Sequence, residues 1–246
     1  FGRRKLIGWI IGVSESLPAH EFAGTGKPFV IKPLLRIIDK EPLFDESTLA
    51  LAEWISSMYF CSLGEALAIM LPSGKRESSE PALPFEDMEV STHSISPSEE
   101  QRTAIKAILS APQGLWYLYG KTGTGKTEVF LQTAEATLSE GRSVLYLVPE
   151  IALTHQVIEA IQKRFGACCA ILHSGITPSQ KLKEWKRIRS GEASIVVGAR
   201  SAVFAPLKNL GLIILDEEHE ASYKSGSSPH YHARQVALHR ASDEKT

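Results

Sequence analysis

Residues 115–127 read LWYLYGKTGTGKT, and this stretch decides the fold. Five apolar residues of strand character run directly into GKTGTGKT (120–127), which satisfies G-x-x-x-x-G-K-[ST] ahead of a helical segment. In that setting Gly123 and Gly125 free the backbone from Cβ clashes, so that successive N–H groups aim at a phosphate on the positive end of the helix. Lys126 then reaches the terminal phosphate oxygens, and Thr127 offers a hydroxyl to Mg²⁺. Gly120, Lys121, Thr122, Gly123, Thr124, Gly125, Lys126 and Thr127 are therefore the candidate ATP ligands.

Outward from the loop, apolar runs recur at SVLYLV (143–148), CCAIL (168–172), SIVVG (194–198) and LIIL (212–215), with helical segments between them. Near-continuous apolar strands alternating with amphipathic helices predict an α/β fold whose parallel sheet is covered on both faces. Ser96, Pro97 and Glu99 predict the start of a helix reaching about Ser110, and Thr177-Pro178 with Gln180 predicts another. Gly141, Gly166 and Gly191 stand where three helices should end. The acids of Asp216-Glu217-Glu218-His219 fall at the carboxyl end of the 212–215 strand, beside the loop. Asp216 is placed to hold Mg²⁺ together with Thr127, and Glu217 to take a proton from the attacking water. Lys126, Asp216 and Glu217 form the candidate catalytic set.

Upstream, Leu6 to Val13 and Phe29 to Ile38 are short apolar runs on either side of a Gly/Pro-containing loop, which indicates strands. Residues 45–60 and 62–71 have helical spacing and stop at Pro72. The Ser/Glu/Pro-rich stretch 73–94 has the composition of a solvated linker. The expected layout is a small, incomplete β-rich α+β module at 1–72, a linker at 73–97 and a motor domain at 98–246.

The 246 residues are 43% hydrophobic and 22% charged, with 27 Lys plus Arg against 28 Asp plus Glu, which excludes disorder and collagen-like repeats. A net charge of −1 means that any polyanion must be met by a local basic surface. Cys61, Cys168 and Cys169 form no disulfide framework and suit the reducing cytoplasm. No apolar run reaches the length of a membrane span. The start, FGRRKLIGWIIGV, imitates a secretory leader but has only eight apolar-run residues and no small-residue cleavage site. Without an initiator Met, the chain reads as cut from something longer. His219, His230, His232 and His239 raise a zinc alternative, but no H-E-x-x-H or paired C-x-x-C spacing supports it.

Four further segments accompany the loop: VPEIALTHQ (148–156), LHSGITPSQKLKEWKRIRSGEASIVVGARSAVFAPLKNLG (172–211), DEEHEASYK (216–224) and YHAR (231–234). With GKTGTGKT they resemble the superfamily 2 helicases, and specifically the PriA family of primosomal replication-restart helicases. The resemblance implies a RecA-like first motor domain. It implies ATP- and Mg-dependent 3′ to 5′ movement on single-stranded and forked DNA during restart of stalled forks. Replication-restart and primosome proteins and single-stranded-DNA-binding protein are the implied partners.

Residue by residue, Gln101 is similar to the adenine-reading glutamine of such helicases, its alternative being an exposed helix residue. Gly198-Ala199-Arg200-Ser201 resembles the strand-end motif that touches the DNA backbone, with Arg200 and Ser201 as contacts, or else a turn with a structural arginine. Tyr223-Lys224 and Tyr231-His232-Ala233-Arg234 resemble the aromatic-rich DNA loop, so Tyr223, Lys224, Tyr231 and Arg234 are candidate DNA ligands; Tyr231 could instead anchor the core. Lys181, Lys183, Lys186, Arg187 and Arg189 read as a solvated helix face. Residues 1–72 resemble the tail portion of the family's 3′-DNA-end-binding domain, with Gly2 and Lys32 at positions of its pocket. The family's winged-helix module, zinc-binding cysteines and second RecA-like domain are missing from the sequence. A DNA-structure module that recognises 3′ ends or forks without turnover is the alternative reading.

Overall fold

Four parallel strands, β1 (Ser143–Leu147), β2 (Cys169–Leu172), β3 (Ile195–Gly198) and β4 (Leu210–Leu215), make one sheet in the order β2-β3-β1-β4. They belong to a computed structural model that describes residues 7–15, 33–72, 96–111, 113–121 and 123–243. Strand residues alternate between two cores. Leu145, Leu147, Ala170, Leu172 and Val196 face one, while Val144, Tyr146, Cys169, Ile171, Ile195 and Val197 face the other. Both faces are buried, which is why the strands read as continuous apolar runs.

The second face is covered by α4 (Lys126–Ser139) and α5 (His155–Phe165) through Ala134, Ile161 and Phe165. The first is covered by α6 (Pro178–Ser190) and α7 (Ala233–Asp243), through Leu182, Trp185 and Ile188 and through Ala233, Val236 and Ala237. α6 begins with a capping box between Thr177 and Gln180 and ends at Gly191 with φ 92°. Gly166 likewise caps α5. α3 (Glu99–Ser110) starts two residues later than the 96–99 spacing predicts: Ser98, not Ser96, is its N-cap and shares a capping box with Gln101.

Among the described residues, two expected sets of strands are not formed. The described parts of the upstream runs, 7–13 and 33–38, carry no ladder, and Leu34, Leu35 and Ile37 stand exposed. LWYLY is also irregular, with Tyr119 98% exposed. It lines one wall of a cleft of about 500 Å³ whose opposite wall is β4. Among the described residues β4 bonds only to β1, and the 115–119 backbone joins no ladder. Gly2, Lys32, Thr122 and nearly all of the 73–97 linker lie outside the described residues.

The upstream helices are formed. α1 (Glu46–Tyr59) is capped by Asp45, and α2 (Leu63–Met70) by a capping box of Ser62 and Glu65. Their apolar faces do not make a separate core. Leu43, Ala52, Ile55, Ala66, Leu67 and Met70 join the same cluster as Trp185, Phe204 and Tyr231. The Trp185 indole N–H donates to the Leu43 carbonyl at 3.2 Å, and Arg189 donates to the Pro42 carbonyl. Arg189 thus braces the upstream segment, and Lys181 is partly buried, its pKa lowered by desolvation; the basic face of α6 is only partly solvated.

Ile55 is completely buried at this junction. Ile55→Ala is expected to lower the unfolding free energy by about 2–4 kcal/mol, the usual cost of a large-to-small change in a core. Urea unfolding followed by both tryptophan fluorescence and far-UV circular dichroism checks this, and a single shared transition is expected because the helices and the motor share one core.

Candidate functional site

The carboxyl ends of the strands align at Leu147, Leu172, Gly198 and Leu215, so everything leaving the sheet there emerges along one edge. The phosphate loop approaches the same edge. Gly123 and Gly125 take φ of 83° and 80°, the left-handed region that glycine enters without penalty. Gly125 is the N-cap of α4 and supplies no side chain to it, which leaves the first N–H groups of the helix open to an anion. The Lys126 ammonium donates to the carbonyls of Gly120 at 2.8 Å and Lys121 at 3.3 Å, folding the loop over its own base. Thr124 closes the turn by donating to the Lys121 carbonyl.

Gln101 meets the loop directly. Its carbonyl oxygen accepts from the Ser98 N–H, and its amide nitrogen donates to the carbonyls of Thr124 at 3.1 Å and Gly125 at 3.3 Å. A Cβ on Gly125 would collide with that nitrogen, so a larger residue there would displace the Gln101 amide from the loop. Gln101 therefore ties the start of α3 to the phosphate loop.

At the tip of β4, Asp216 continues the ladder by donating its N–H to the Leu147 carbonyl at 2.9 Å. One carboxylate oxygen accepts from the Tyr146 hydroxyl at 2.9 Å and the other from the Glu217 N–H at 3.0 Å. Burial, reinforced by the Asp216 carboxylate, pushes the Tyr146 phenol far above its ordinary pKa, so it remains a donor. Glu217 is exposed and takes φ 45°, a strained conformation for a residue with a side chain. Its carboxylate lies 3.7 Å from His219. Lys126, Asp216 and Glu217 line the same cleft, together with Gly120. Tyr146 is the residue that sequence reading missed, hidden because its apolar strand context gave no sign of the polar tip.

α4 is held in place from behind. Arg164 on α5 reaches Glu128 in the first turn of α4 at 2.8 Å and Glu135 about two turns later at 2.6 Å, and Gln132 also donates to Glu128. The Arg164 guanidinium holds the Glu128 carboxyl below the usual carboxylate range. No motif announced this clamp.

The residues expected to meet DNA fall into two groups. Tyr223 and Tyr231 are 0% and 4% exposed, so neither ring offers a face to a base. This corrects their assignment as stacking ligands. The Tyr223 hydroxyl sits 2.7 Å from the Asp216 carbonyl and 3.0 Å from the Leu147 carbonyl, linking the acid to the loop that follows. Tyr231 packs on Phe204 with centroids 4.9 Å apart and lies under the Arg200 guanidinium at 5.7 Å. Arg200, half-buried, donates to the carbonyls of Lys224 at 2.6 Å and Ser222 at 3.2 Å, so it secures the loop. Lys224 is exposed and bridges to His232 across the loop, Ser201 is half-buried, and Arg234 pairs with Glu218 at 3.0 Å. Among the described residues no group of three or more His, Cys, Asp or Glu side chains is arranged to hold a metal ion, and no helix is long and apolar enough to cross a membrane.

Because the folded pKa of Glu128 is depressed, its bond to Arg164 stabilises at neutral pH and is lost as pH falls through that lowered value. Glu128→Gln is therefore expected to cost about 1 kcal/mol at pH 7, the difference shrinking as the pH falls below the ordinary carboxylate range and vanishing only below the lowered pKa of the folded carboxyl, where both states are protonated. Unfolding free energies measured from pH 7 down to acid check the convergence; a constant offset at every pH would contradict it.

Comparison with known proteins agrees with this geometry. Residues 98–245 match the DEAD/DEAH box helicase family, and residues 1–72 match the 3′ DNA-binding domain of PriA. The chain is 50% identical over 244 residues to the replication restart protein PriA of Treponema pallidum, covering 99% of this chain and 37% of that protein. It is 45% identical over 163 residues to that of Bacillus subtilis, covering 64% and 20%, and 33% identical over 214 residues to that of Borreliella burgdorferi, covering 85% and 32%. The chain thus spans little more than a third, or less, of the length of these relatives. With the phosphate loop, the Asp216–Glu217 edge and both matches in view, the chain belongs to the DEAD/DEAH box helicases, within their PriA group.

Proposed function

We propose that the chain is the DNA-end-binding and first motor portion of an ATP-dependent 3′ to 5′ DNA helicase that restarts stalled replication forks. The observation that carries this reading is that Lys126, Asp216 and Glu217 line one cleft. A cationic loop and two acids with different surroundings are the groups that phosphoryl transfer to water requires.

The donor set fits a magnesium nucleotide. The open N–H groups at the start of α4 and the Lys126 ammonium would hold phosphate oxygens. The exposed Thr127 hydroxyl and Asp216 would hold Mg²⁺, since each Asp216 oxygen accepts one hydrogen bond and keeps a further lone pair. Bound Mg-ATP supplies the phosphoanhydride whose hydrolysis powers movement. Glu217, raised on a strained and exposed turn, takes the proton of the attacking water. Tyr146 keeps Asp216 aimed while this happens. Tyr223 passes any shift of the 221–232 loop to Asp216 through its hydroxyl.

Single-stranded and forked DNA are the substrates of this reading, and replication-restart proteins, primosome proteins and single-stranded-DNA-binding protein its partners in the cytoplasm. The match of residues 1–72 supports recognition of 3′ ends, with Gly2 and Lys32 as its proposed contacts, and the exposed Lys224 is the proposed contact of the motor with the strand, on a loop that Arg200 secures. Turnover also calls for a cation on the reacting phosphate, which the second motor lobe of such enzymes supplies.

Lys126→Ala is expected to weaken Mg-ATP binding at least about 10-fold with an unchanged circular dichroism spectrum, as measured by titration of a fluorescent nucleotide. Unaltered affinity would reject the phosphate-loop assignment. In a gel shift, a DNA with an unblocked 3′ hydroxyl is expected to bind more tightly than the same DNA with a 3′ phosphate, and equal binding would remove end recognition from the proposal.

A further inference from the structure

α1 ends in an unusual way. Its C-cap is Phe60, at φ 51° and ψ 48°, a conformation in which glycine is normally found. The corner is locked: the Ser56 carbonyl accepts from the N–H groups of both Phe60 and Cys61, and the Ser56 hydroxyl donates to the Cys61 carbonyl at 2.6 Å. The capping box of Ser62 and Glu65 then starts α2 at once. This rigid corner holds the Phe60 ring 97% exposed. Neither packing nor backbone preference accounts for a phenylalanine there, since the ring buries almost nothing and the backbone is strained.

The neighbouring residue shows what the corner faces. The Tyr59 hydroxyl accepts the N–H of His232 at 3.2 Å, and the Lys224 ammonium lies 5.9 Å from the centre of the Tyr59 ring. Trp54, edge-on to Tyr59 and stacked on His239 at 4.0 Å, fixes that side of α1 to α7. The corner is therefore built onto the Lys224–His232 bridge of the motor loop. An exposed aromatic ring on a locked backbone corner, one residue from the tyrosine that meets an exposed lysine, offers the pairing that single-stranded nucleic acid uses: the ring takes a base and the cation takes the backbone. Glu65, the acid of the next helix, has its carboxylate engaged by Ser62.

We propose that Phe60 is a base-stacking site for single-stranded DNA, which extends the motor's DNA surface across the α1–α2 corner. The site rests on the reading that the 221–232 loop meets DNA, and it supplies the aromatic face that the buried Tyr223 and Tyr231 do not.

The test is fluorescence anisotropy of labelled oligo(dT) with the 246-residue chain, its Phe60→Ala, Phe60→Gly and Phe60→Trp variants, and Lys224→Ala. Phe60→Ala and Phe60→Gly are expected to weaken binding by about 5- to 100-fold, the span of one lost base stack, and Phe60→Trp to keep the parental affinity. Phe60→Gly is also expected to raise the melting temperature, because glycine relieves the left-handed conformation. Stability and affinity then move in opposite directions, which a packing role for the ring would not produce. Parental affinity in Phe60→Ala and Phe60→Gly, with Lys224→Ala weakened, overturns the stacking site and leaves the loop reading standing. Parental affinity in all of them, or no oligo(dT) binding by the parent chain, overturns both.

Discussion

The carbonyl of Leu147, at the last position of β1, is the point on which the site depends. It accepts the Asp216 N–H, which extends β4 by one residue beyond its last apolar side chain, and it lies within reach of the Tyr223 hydroxyl. The same hydroxyl meets the Asp216 carbonyl, and Tyr146, one residue before Leu147, holds the Asp216 carboxylate. Three polar contacts to one acid, from two tyrosines and a backbone carbonyl, leave it little freedom to turn. In the partly water-excluded edge of a parallel sheet such bonds are strong when satisfied, and losing one leaves a polar group stranded. The strain at Glu217 is tolerable because its predecessor is so firmly held.

From this anchor the structure runs outward through Tyr223 into the 221–232 loop, which Arg200 fastens by two carbonyls. Arg200 therefore acts on the loop first, and Lys224 is the cation that the loop presents to solvent. Behind the phosphate loop, Arg164 performs the corresponding task for α4 by bridging Glu128 and Glu135. The two motifs of the cleft are thus each braced by an arginine on a different element. The upstream helices complete the arrangement by sharing a core with α6 and the 200–204 turn, which brings the α1–α2 corner against the loop.

Much of this was readable in the sequence because it is local. The left-handed turns at Gly123, Gly125 and Gly191, the capping box at Thr177, and the apolar runs of β1 to β4 each depend on a few neighbouring residues. The cap of α3 was displaced by two residues, since Ser96 and Ser98 both offer a hydroxyl and only the reciprocal bond with Gln101 chooses between them. Apolar content alone misled at 7–13, 33–38 and 115–119. A strand is a relation between two backbones, and none of these segments has a partner among the described residues.

The sequence by itself determined that a phosphate loop precedes a helix, that acids follow a buried strand, and that apolar strands alternate with helices into an α/β fold. Those features follow from backbone conformation, capping and hydrophobic period, which operate over a few residues. Only the tertiary structure decided that Tyr223 and Tyr231 turn inward, that Tyr146 serves Asp216, and that Tyr59 meets His232 across 173 positions of chain. The physical reason is that a tyrosine carries both an apolar ring and a polar tip, so its local sequence suits a core and a binding surface equally well. Which of the two it enters is set by partners far away in the chain, whose approach depends on how the sheet and helices pack.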